Sequence, residues 1–176
     1  MTIGLVRHLP VKKQFLKGWV TQAEMLQWFS EYNTAPLIQK PLNIQGDWDR
    51  CFSSQLSRAV DTAKSIFNGR IEQTELLNEP FPSPLFRRHV RLPFLIWAMA
   101  IRYSINSNHA SQAHSKSRME MRLQQFLDTL LVEEGNSLVV SHAFIMEVLS
   151  RQLIKAGFRG KKLVRPKNGV LYVFER

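Results

Sequence analysis

Residues 50–67 read RCFSSQLSRAVDTAKSIF, and this stretch predicts a β-strand, a turn and an amphipathic helix in succession. The strand covers Arg50–Phe52, and Ser53 and Ser54 form the turn and cap the helix. Apolar residues then recur at helical spacing, at Leu56, Ala59, Val60, Ala63, Ile66 and Phe67. Arg58 falls in the first helical turn, where a cation opposes the helix dipole by about 0.3–1 kcal/mol. A bound anion would reverse that unfavourable interaction.

The same alternation of strands and helices continues along the chain. Buried strands are predicted at 2–6, 71–77, 137–142 and 169–176, and helices at 21–33, 117–134 and 143–157. Thr21-x-x-Glu24 and Ser117-x-x-Glu120 are capping boxes that begin two of the helices. The apolar segment 92–103 is interpreted as a core-facing helix. The pattern predicts an α/β fold, a three-layer α/β/α sandwich with a mainly parallel sheet.

Composition limits the classes of protein that this chain can represent. Its 176 residues fit a single domain, and 44% hydrophobic with 22% charged residues is a globular composition. The single Cys51 excludes an internal disulfide framework, and no signal peptide is recognised, so we expect a cytoplasmic protein. The longest apolar stretch is too short to span a bilayer. A net charge of +10 favours an acidic partner: a phosphorylated small molecule, nucleic acid or an anionic membrane surface.

Polar residues follow three of the predicted strands. They are Arg7 and His8 after the first strand, Ser53 and Ser54 after Arg50–Phe52, and Ser141 and His142 at the end of the strand 137–142. Arg58 lies in the first turn of the helix that follows Ser54. Parallel strands present their carboxyl ends at one sheet edge, where helix N-termini also favour anions. With Arg58, these residues would form a pocket suited to a phosphoryl group. Paired histidines can also bind metal, but no H-x-H, H-x-x-x-H or C-x-x-C spacing occurs, so we expect no metal site.

Three motifs together resemble the histidine phosphatase superfamily, also called the phosphoglycerate mutase-like family. LVRHLP (5–10) is similar to its N-terminal Arg-His-Gly motif, CFSSQLSRAVDTAKSI (51–66) to its second block, and LVVSHAFIMEVL (138–149) to the block with the second histidine. The resemblance covers nearly the whole chain. It implies a phosphoglycerate mutase-like fold and a phosphomonoesterase that acts through a phosphohistidine intermediate, without metal or other cofactor.

The resemblance also implies roles for individual residues. His8 would be the nucleophile, and Arg7, Arg58 and His142 would hold the phosphoryl oxygens. Glu79 would protonate the leaving oxygen; Glu75 is less suitable because it should lie inside the predicted strand 71–77.

Further positions concern substrate binding and departures from the family pattern. Gln14 and Ser54 are candidate substrate-binding residues. Leu9 and Ala143 stand where the family has glycine, and Leu9 in particular would narrow the pocket or change the turn.

The resemblance also predicts a substrate-covering insert at about 78–116 within the single domain 1–176. Arg87, Arg88 and Arg91 would meet anionic groups of a substrate. The apolar residues Phe94, Trp97 and Met99 would contact an apolar moiety or a partner subunit in a homodimer, or would pack in the core.

Several functional alternatives stay open at this point. The leading hypothesis is a phosphatase for a small phosphorylated molecule. A phosphomutase would return the phosphoryl group to another hydroxyl, and a non-catalytic phosphate-binding protein would use the same fold without turnover. Specific nucleic-acid binding is disfavoured because only the charge and the run RRHVR (87–91) support it.

Overall fold

The computed structural model describes residues 1–85, 90–107, 109 and 116–176, and it divides into two compact units. The first unit comprises Met1–Val11, Leu37–Glu79 and Arg122–Arg176, and the second comprises Lys12–Pro36 and Pro80–Met121. Among the residues described, no helix has both the length and the apolarity to cross a membrane.

The described residues form seven strands and five helices. In order they are β1 (Thr2–Arg7), β2 (Trp19–Thr21), α1 (Gln22–Thr34), β3 (Arg50–Ser54), α2 (Ser57–Ile66), β4 (Ile71–Thr74), β5 (Arg91–Pro93), α3 (Phe94–Asn106), α4 (Lys116–Val132), β6 (Ser137–Ser141), α5 (Ala143–Lys155) and β7 (Leu171–Glu175). The first unit holds a five-stranded sheet in the order β4-β3-β6-β1-β7. Only β7 runs antiparallel to its neighbour. The predicted α/β fold with a mainly parallel sheet is therefore confirmed.

The sheet is covered by helices on both faces. Val6, Cys51 and Val140 point to one face and pack with Ala59 and Ala63 of α2. Phe52, which alternates to the other face, forms an edge-to-face contact with Phe126 of α4 at a centroid distance of 5.6 Å. This alternation produces the α/β/α layers predicted from the sequence.

The predicted turn at Ser53-Ser54 is wrong, because β3 continues through Ser54. Parallel pairing of Ser53 with Gln73 and of Ser54 with Thr74 extends the strand. The N-cap of α2 is Leu56, which makes no side-chain capping bond. Ser54 Oγ instead accepts a hydrogen bond from the backbone N–H of Leu56 at 3.2 Å.

Two other boundaries differ from the sequence predictions. The strand expected at 71–77 ends at Thr74, whose Oγ1 accepts from Leu76 N and starts a short 3-10 turn over Glu75–Leu77. Glu75 therefore does not lie inside a strand. Helix α4 begins at Lys116, so Ser117 lies within its first turn rather than capping it.

The second unit contains a small two-stranded sheet that the sequence analysis missed. β2 and β5 pair antiparallel, from Trp19 opposite Pro93 to Thr21 opposite Arg91. The capping box of Thr21 and Glu24 is formed as predicted. Trp97 of α3 is fully buried, and its Nε1 donates to Val20 O at 2.8 Å, whereas the side chain of Met99 is exposed. The apolar segment is thus a core-facing helix with one exposed face.

Candidate active site

His8 follows directly from β1 and is almost completely buried, with 1% of its surface exposed. Its backbone N–H donates to Ser141 O at 3.0 Å, which continues the β1–β6 pairing by one residue. Its ring Nδ1 lies 2.6 Å from Leu9 O. A carbonyl oxygen can only accept, so the proton of the neutral ring is on Nδ1 and the lone pair is on Nε2.

Arg7, the last residue of β1, is held by the segment that precedes β7. Its Nη1 donates to Pro166 O at 3.0 Å, and Gly169 N donates to Arg7 O at 2.8 Å. Asn168 Nδ2 donates to His8 O at 2.7 Å. The buried Nε–H of Arg7 finds no acceptor among the residues described.

Arg58 is buried in the first turn of α2, with only 3% exposed. Its Nη2 lies 3.2 Å from Glu79 Oε2 in an ion pair. Arg58 lies off the apolar stripe of α2, a position that is also typical of an exposed arginine. Its burial excludes that alternative. The same carboxylate oxygen lies 3.7 Å from His142 Nδ1. Glu79 therefore reaches both Arg58 and His142.

His142 is the fully buried N-cap residue of α5. Its Nε2 lies 2.9 Å from Ser54 Oγ, whose own hydroxyl proton is donated to Asn78 Oδ1 at 2.7 Å. Since that proton is already used, Nε2 must be the donor, and Nδ1 carries the lone pair of the neutral ring. Ser54, which was predicted to bind substrate, therefore fixes the orientation of the His142 ring, whose Nδ1 faces Glu79.

We call Arg7, His8, Arg58, Glu79 and His142 the strand-end cluster. The two imidazole rings are 5.2 Å apart between centroids. Burial, followed by the charges of Arg58 and Arg7, lowers the pKa of His8 from 6.5 to about 3, although its bond to Leu9 O acts in the other direction. Burial and the neighbouring cations also hold the pKa of His142 well below its usual range. Both rings are therefore neutral at pH 7.

Leu9 stands where the family has glycine, and both its backbone and its side chain make defined contacts. Its N–H donates to Thr62 Oγ1 at 2.9 Å, and the same hydroxyl donates to Arg58 O at 2.7 Å. Its buried side chain lies beside Gly169, with Cδ2 3.3 Å from the position that a Cβ on that residue would occupy. A Cβ at Gly169 would lie 2.5 Å from Leu42 and 2.8 Å from Lys40, and it would also crowd Leu9. Thr62 joins the end of β1 to the first turn of α2.

Asn78 and Arg122 hold the chain next to Glu79, and the sequence analysis identified neither. Asn78 Oδ1 accepts from Ser54 Oγ and, at 2.9 Å, from Gln55 N, while Asn78 O accepts from Arg122 Nη2 at 2.6 Å. Single polar residues in a loop and a helix carry no recognisable pattern. The Thr62-Ala63 pair, in contrast, was part of the motif that produced the family resemblance.

The remaining candidates are not part of the strand-end cluster. Gln14 belongs to the second unit, where its backbone O accepts from Trp28 Nε1 at 2.7 Å, and its role in substrate binding stays a prediction. Arg87 and Arg88 lie outside the described residues. Cys51 is in the core, where burial raises the pKa of its thiol to about 12. Within the part of the chain that the structure describes, no three His, Cys, Asp or Glu side chains form a potential metal site.

Comparison with known proteins identifies the family. The sequence profile of the Histidine phosphatase superfamily (branch 1) matches residues 42–176. The chain belongs to this superfamily, as its motifs indicated. A comparison with curated protein sequences found no match.

Solved structures of phosphatases and a mutase share the fold. A putative α-ribazole-5'-P phosphatase from Escherichia coli is 21% identical, with a TM-score of 0.57, 98% of this chain covered and 89% of the other. Phosphoglycerate mutase from Bacillus anthracis is 17% identical, with a TM-score of 0.60 and coverages of 99% and 88%. A phosphoserine phosphatase mutant from Entamoeba histolytica, in complex with phosphoserine, is 17% identical, with a TM-score of 0.52 and coverages of 98% and 89%. The predicted phosphoglycerate mutase-like fold is confirmed.

The Thr62 hydroxyl provides a test of how β1 and α2 are joined. Thr62→Val would leave the buried N–H of Leu9 without an acceptor, and we expect a loss of about 1–3 kcal/mol in unfolding free energy in urea. Thr62→Ser keeps the hydroxyl and should retain most of this stability. Thr129→Val is a matched control, because the exposed Thr129 hydroxyl also bonds the carbonyl four residues earlier, that of Gln125. Equal losses at Thr62 and Thr129 would contradict the role of Thr62.

The lowered pKa of His8 predicts a specific pH dependence of stability. Between pH 6.5 and about 3 the unfolded chain binds a proton at His8 that the folded chain does not, so unfolding free energy falls as pH falls. The decrease in unfolding free energy that is due to His8 should reach about 3 kcal/mol by pH 4, at about 1.4 kcal/mol per pH unit. Urea unfolding at pH 7 and pH 4 should show that His8→Gln loses less stability than the wild type. His109→Gln, which removes an exposed imidazole, should follow the wild type; the same behaviour in His8→Gln would refute the prediction.

Proposed function

We propose that this protein is a phosphomonoesterase that acts on a small phosphorylated molecule through a phosphohistidine intermediate on His8. The observation that carries this proposal is the protonation of His8: its Nδ1–H is bound to Leu9 O, so Nε2 carries the lone pair. A nucleophilic imidazole must be neutral, and burial beside two arginines keeps this one neutral.

The first step is attack by His8 Nε2 on the phosphorus atom of the substrate. The new N–P bond forms as the bond from phosphorus to the leaving oxygen breaks, and the bonding electrons remain on that oxygen. The guanidinium groups of Arg7 and Arg58 bind the phosphoryl oxygens and balance the charge of the transition state.

Glu79 is the proposed general acid. In the protein without ligand its carboxylate pairs with Arg58 at 3.2 Å. A phosphate dianion would share that guanidinium with Glu79. As the general acid, the protonated carboxyl of Glu79 would give its proton to the leaving oxygen. In the second step water attacks phosphorus and gives a proton to the Glu79 carboxylate. The N–P bond breaks, its electrons return to His8 Nε2, and inorganic phosphate is released.

His142 can donate to a phosphoryl oxygen in only one protonation state. Its Nε2–H is used by Ser54, so its Nδ1 can donate to a phosphoryl oxygen only when the ring is protonated. Arrival of an anion would favour that proton by opposing the effect of Arg58 and Arg7. We infer that phosphate binding and proton uptake by His142 are coupled.

The phosphatase differs from the alternative activities in the acceptor of the phosphoryl group. A phosphomutase would pass the phosphoryl group from His8 to an added hydroxyl compound, whereas the phosphatase passes it to water. A non-catalytic relative would bind phosphate or vanadate and release no product. The requirement for metal is tested by turnover in the presence of a chelator.

Replacement of the nucleophile tests the central step. His8→Ala should abolish release of phosphate from an aryl phosphate, because it removes the Nε2 lone pair that is proposed to attack phosphorus. Rapid quenching of the wild type with labelled substrate should give a phosphoenzyme that is labile in acid and stable in base. His109→Ala is the control for removal of an imidazole. Full activity of His8→Ala would exclude the mechanism.

The role of Glu79 is tested by varying the leaving group. Glu79→Gln keeps a similar shape but supplies no proton, and we expect kcat/KM for an alkyl phosphate to fall by about 100-fold or more. For 4-nitrophenyl phosphate, whose leaving group needs little protonation, the fall should be much smaller. Glu75→Gln is a matched control on the neighbouring turn. Equal losses for the two substrates would show that Glu79 is not the acid.

A further inference from the structure

Asn78, the residue before Glu79, is bound to two other parts of the first unit. Its side-chain Oδ1 accepts from Gln55 N at 2.9 Å and from Ser54 Oγ at 2.7 Å. Its backbone O accepts from Arg122 Nη2 at 2.6 Å. Asn78 is therefore tied to the end of β3 by its side chain and to α4 by its backbone.

The direction of the bond between Asn78 and Ser54 is decided by Gln55. A backbone N–H can only donate, so the amide atom that meets Gln55 N is the carbonyl oxygen of Asn78 rather than its nitrogen. That oxygen can only accept, so the Ser54 hydroxyl must give it its single proton. The lone pairs of Ser54 Oγ then accept from Leu56 N at 3.2 Å and from His142 Nε2 at 2.9 Å.

The other neutral tautomer of His142 would have a hydrogen-bond partner of its own. In that tautomer Nδ1 carries the proton and faces Glu79 Oε2, which lies 3.7 Å away. Nε2 would then need a proton from the Ser54 hydroxyl, which cannot supply Asn78 Oδ1 at the same time. Asn78 and His142 therefore compete for one hydroxyl proton. In the structure Asn78 holds this proton, and Nδ1 of His142 makes no hydrogen bond to the residues described.

The position of the His142 proton is the property that this competition controls. Burial keeps the ring neutral at pH 7, and so do its cationic or titratable neighbours, Arg58, His8, Arg7 and Arg122. A neutral imidazole has one N–H, which is either Nε2–H or Nδ1–H. Without ligand, the tautomer of His142 is therefore the variable, and not its charge.

The tautomer matters for Glu79, the proposed general acid. A donor beside a carboxylate stabilises its ionised form, and Arg58 already supplies one at 3.2 Å from Glu79 Oε2. A second donor, from His142 Nδ1 to the same oxygen, would further oppose the protonated form that a general acid requires. A lone pair on Nδ1 adds no such donor, so it does not hold Glu79 in the ionised form.

We propose that Asn78 is a positioning residue for the reaction: it takes the Ser54 proton and thereby keeps Nδ1 of His142 unprotonated beside Glu79. This inference rests on the proposed function, because the arrangement serves the reaction only if Glu79 gives a proton to the leaving oxygen. Asn78 forms and breaks no bond in that reaction. It acts through Ser54 and His142.

The tautomer of His142 can be measured by NMR in protein that contains nitrogen-labelled histidine, at pH 7 and without ligand. The ring signals are assigned from their loss in His142→Gln, and we expect a proton on Nε2 in the wild type. Asn78→Leu removes the acceptor at similar volume. It should change the ratio of the two tautomers about tenfold toward Nδ1–H, the equivalent of one hydrogen bond. An unchanged ratio would overturn the proposal.

Further variants separate the acceptor oxygen of Asn78 from general effects of substitution. Asn78→Asp keeps an oxygen that accepts from Ser54 and should keep the wild-type tautomer. Asn136→Leu is the matched control, because Asn136 Oδ1 also accepts a backbone N–H, that of Thr2 at 2.9 Å, at the start of β1. A similar shift in Asn136→Leu would attribute the effect to destabilisation and overturn the proposal. If Asn78→Leu does not fold, Asn78→Ala, which introduces no bulk, is measured with the same expectation.

Kinetics test the consequence for Glu79. Asn78→Leu should lower kcat/KM for an alkyl phosphate about tenfold more than for 4-nitrophenyl phosphate, because only the alkyl leaving group needs the proton. A purely structural role of Asn78 would lower kcat/KM equally for both substrates. That result would overturn the proposal.

The positioning role of Asn78 and the proposed function can fail separately. If the wild type hydrolysed no phosphomonoester, or if Glu79→Gln lost equal activity with both substrates, the proposed function or its general acid would fail. The tautomer of His142 is measured without substrate. Its dependence on Asn78 supports the positioning role even then, and its independence of Asn78 rejects it.

Discussion

Arg7 and Ser141 are paired across the two central parallel strands, and His8 and His142 each follow one member of this pair. Because β1 and β6 run in the same direction, their ends bring two histidines to one sheet edge with ring centroids 5.2 Å apart. A slip of one residue in this register would turn one of the pair toward the opposite face. The buried runs Ile3–Val6 and Leu138–Val140 hold the register, so the hydrophobic core also sets the geometry of the site.

The strand-end cluster concentrates positive charge in a buried place, and this has consequences for protonation. Arg7 and Arg58 cannot lose their charge at ordinary pH, so the two histidines respond by remaining neutral. Neutral imidazole is the form that can attack phosphorus. The same field that would bind a phosphate dianion therefore also keeps His8 in the form that the proposed attack requires. Glu79 supplies the carboxylate of the cluster and contacts both Arg58 and His142.

Much of this arrangement was predictable from residue patterns. Alternating strands and helices gave the α/β architecture, and the positions of Arg7, His8, Arg58 and His142 after strands gave one shared sheet edge. The turn at Ser53-Ser54 was predicted wrongly because serine favours turns locally, while pairing with β4 decided the conformation. The two-stranded β2–β5 sheet was missed because each of its strands is only three residues long and the two are distant in sequence. Asn78, Arg122 and Asn168 act through backbone contacts across the fold, and no local pattern identifies such residues.

The sequence by itself determined the order of most elements, the family and the residue types of the cluster, because periodicity and motif spacing are local properties. The tertiary structure decided which atoms meet. It placed the His8 proton on Nδ1 through Leu9 O, joined Glu79 to Arg58 and His142, and gave Leu9 its room beside Gly169. It also brought Lys40 to Asn168, which is 128 residues away in the chain. These contacts depend on long-range packing and burial, which fix distances and shift protonation in ways that a linear pattern does not encode.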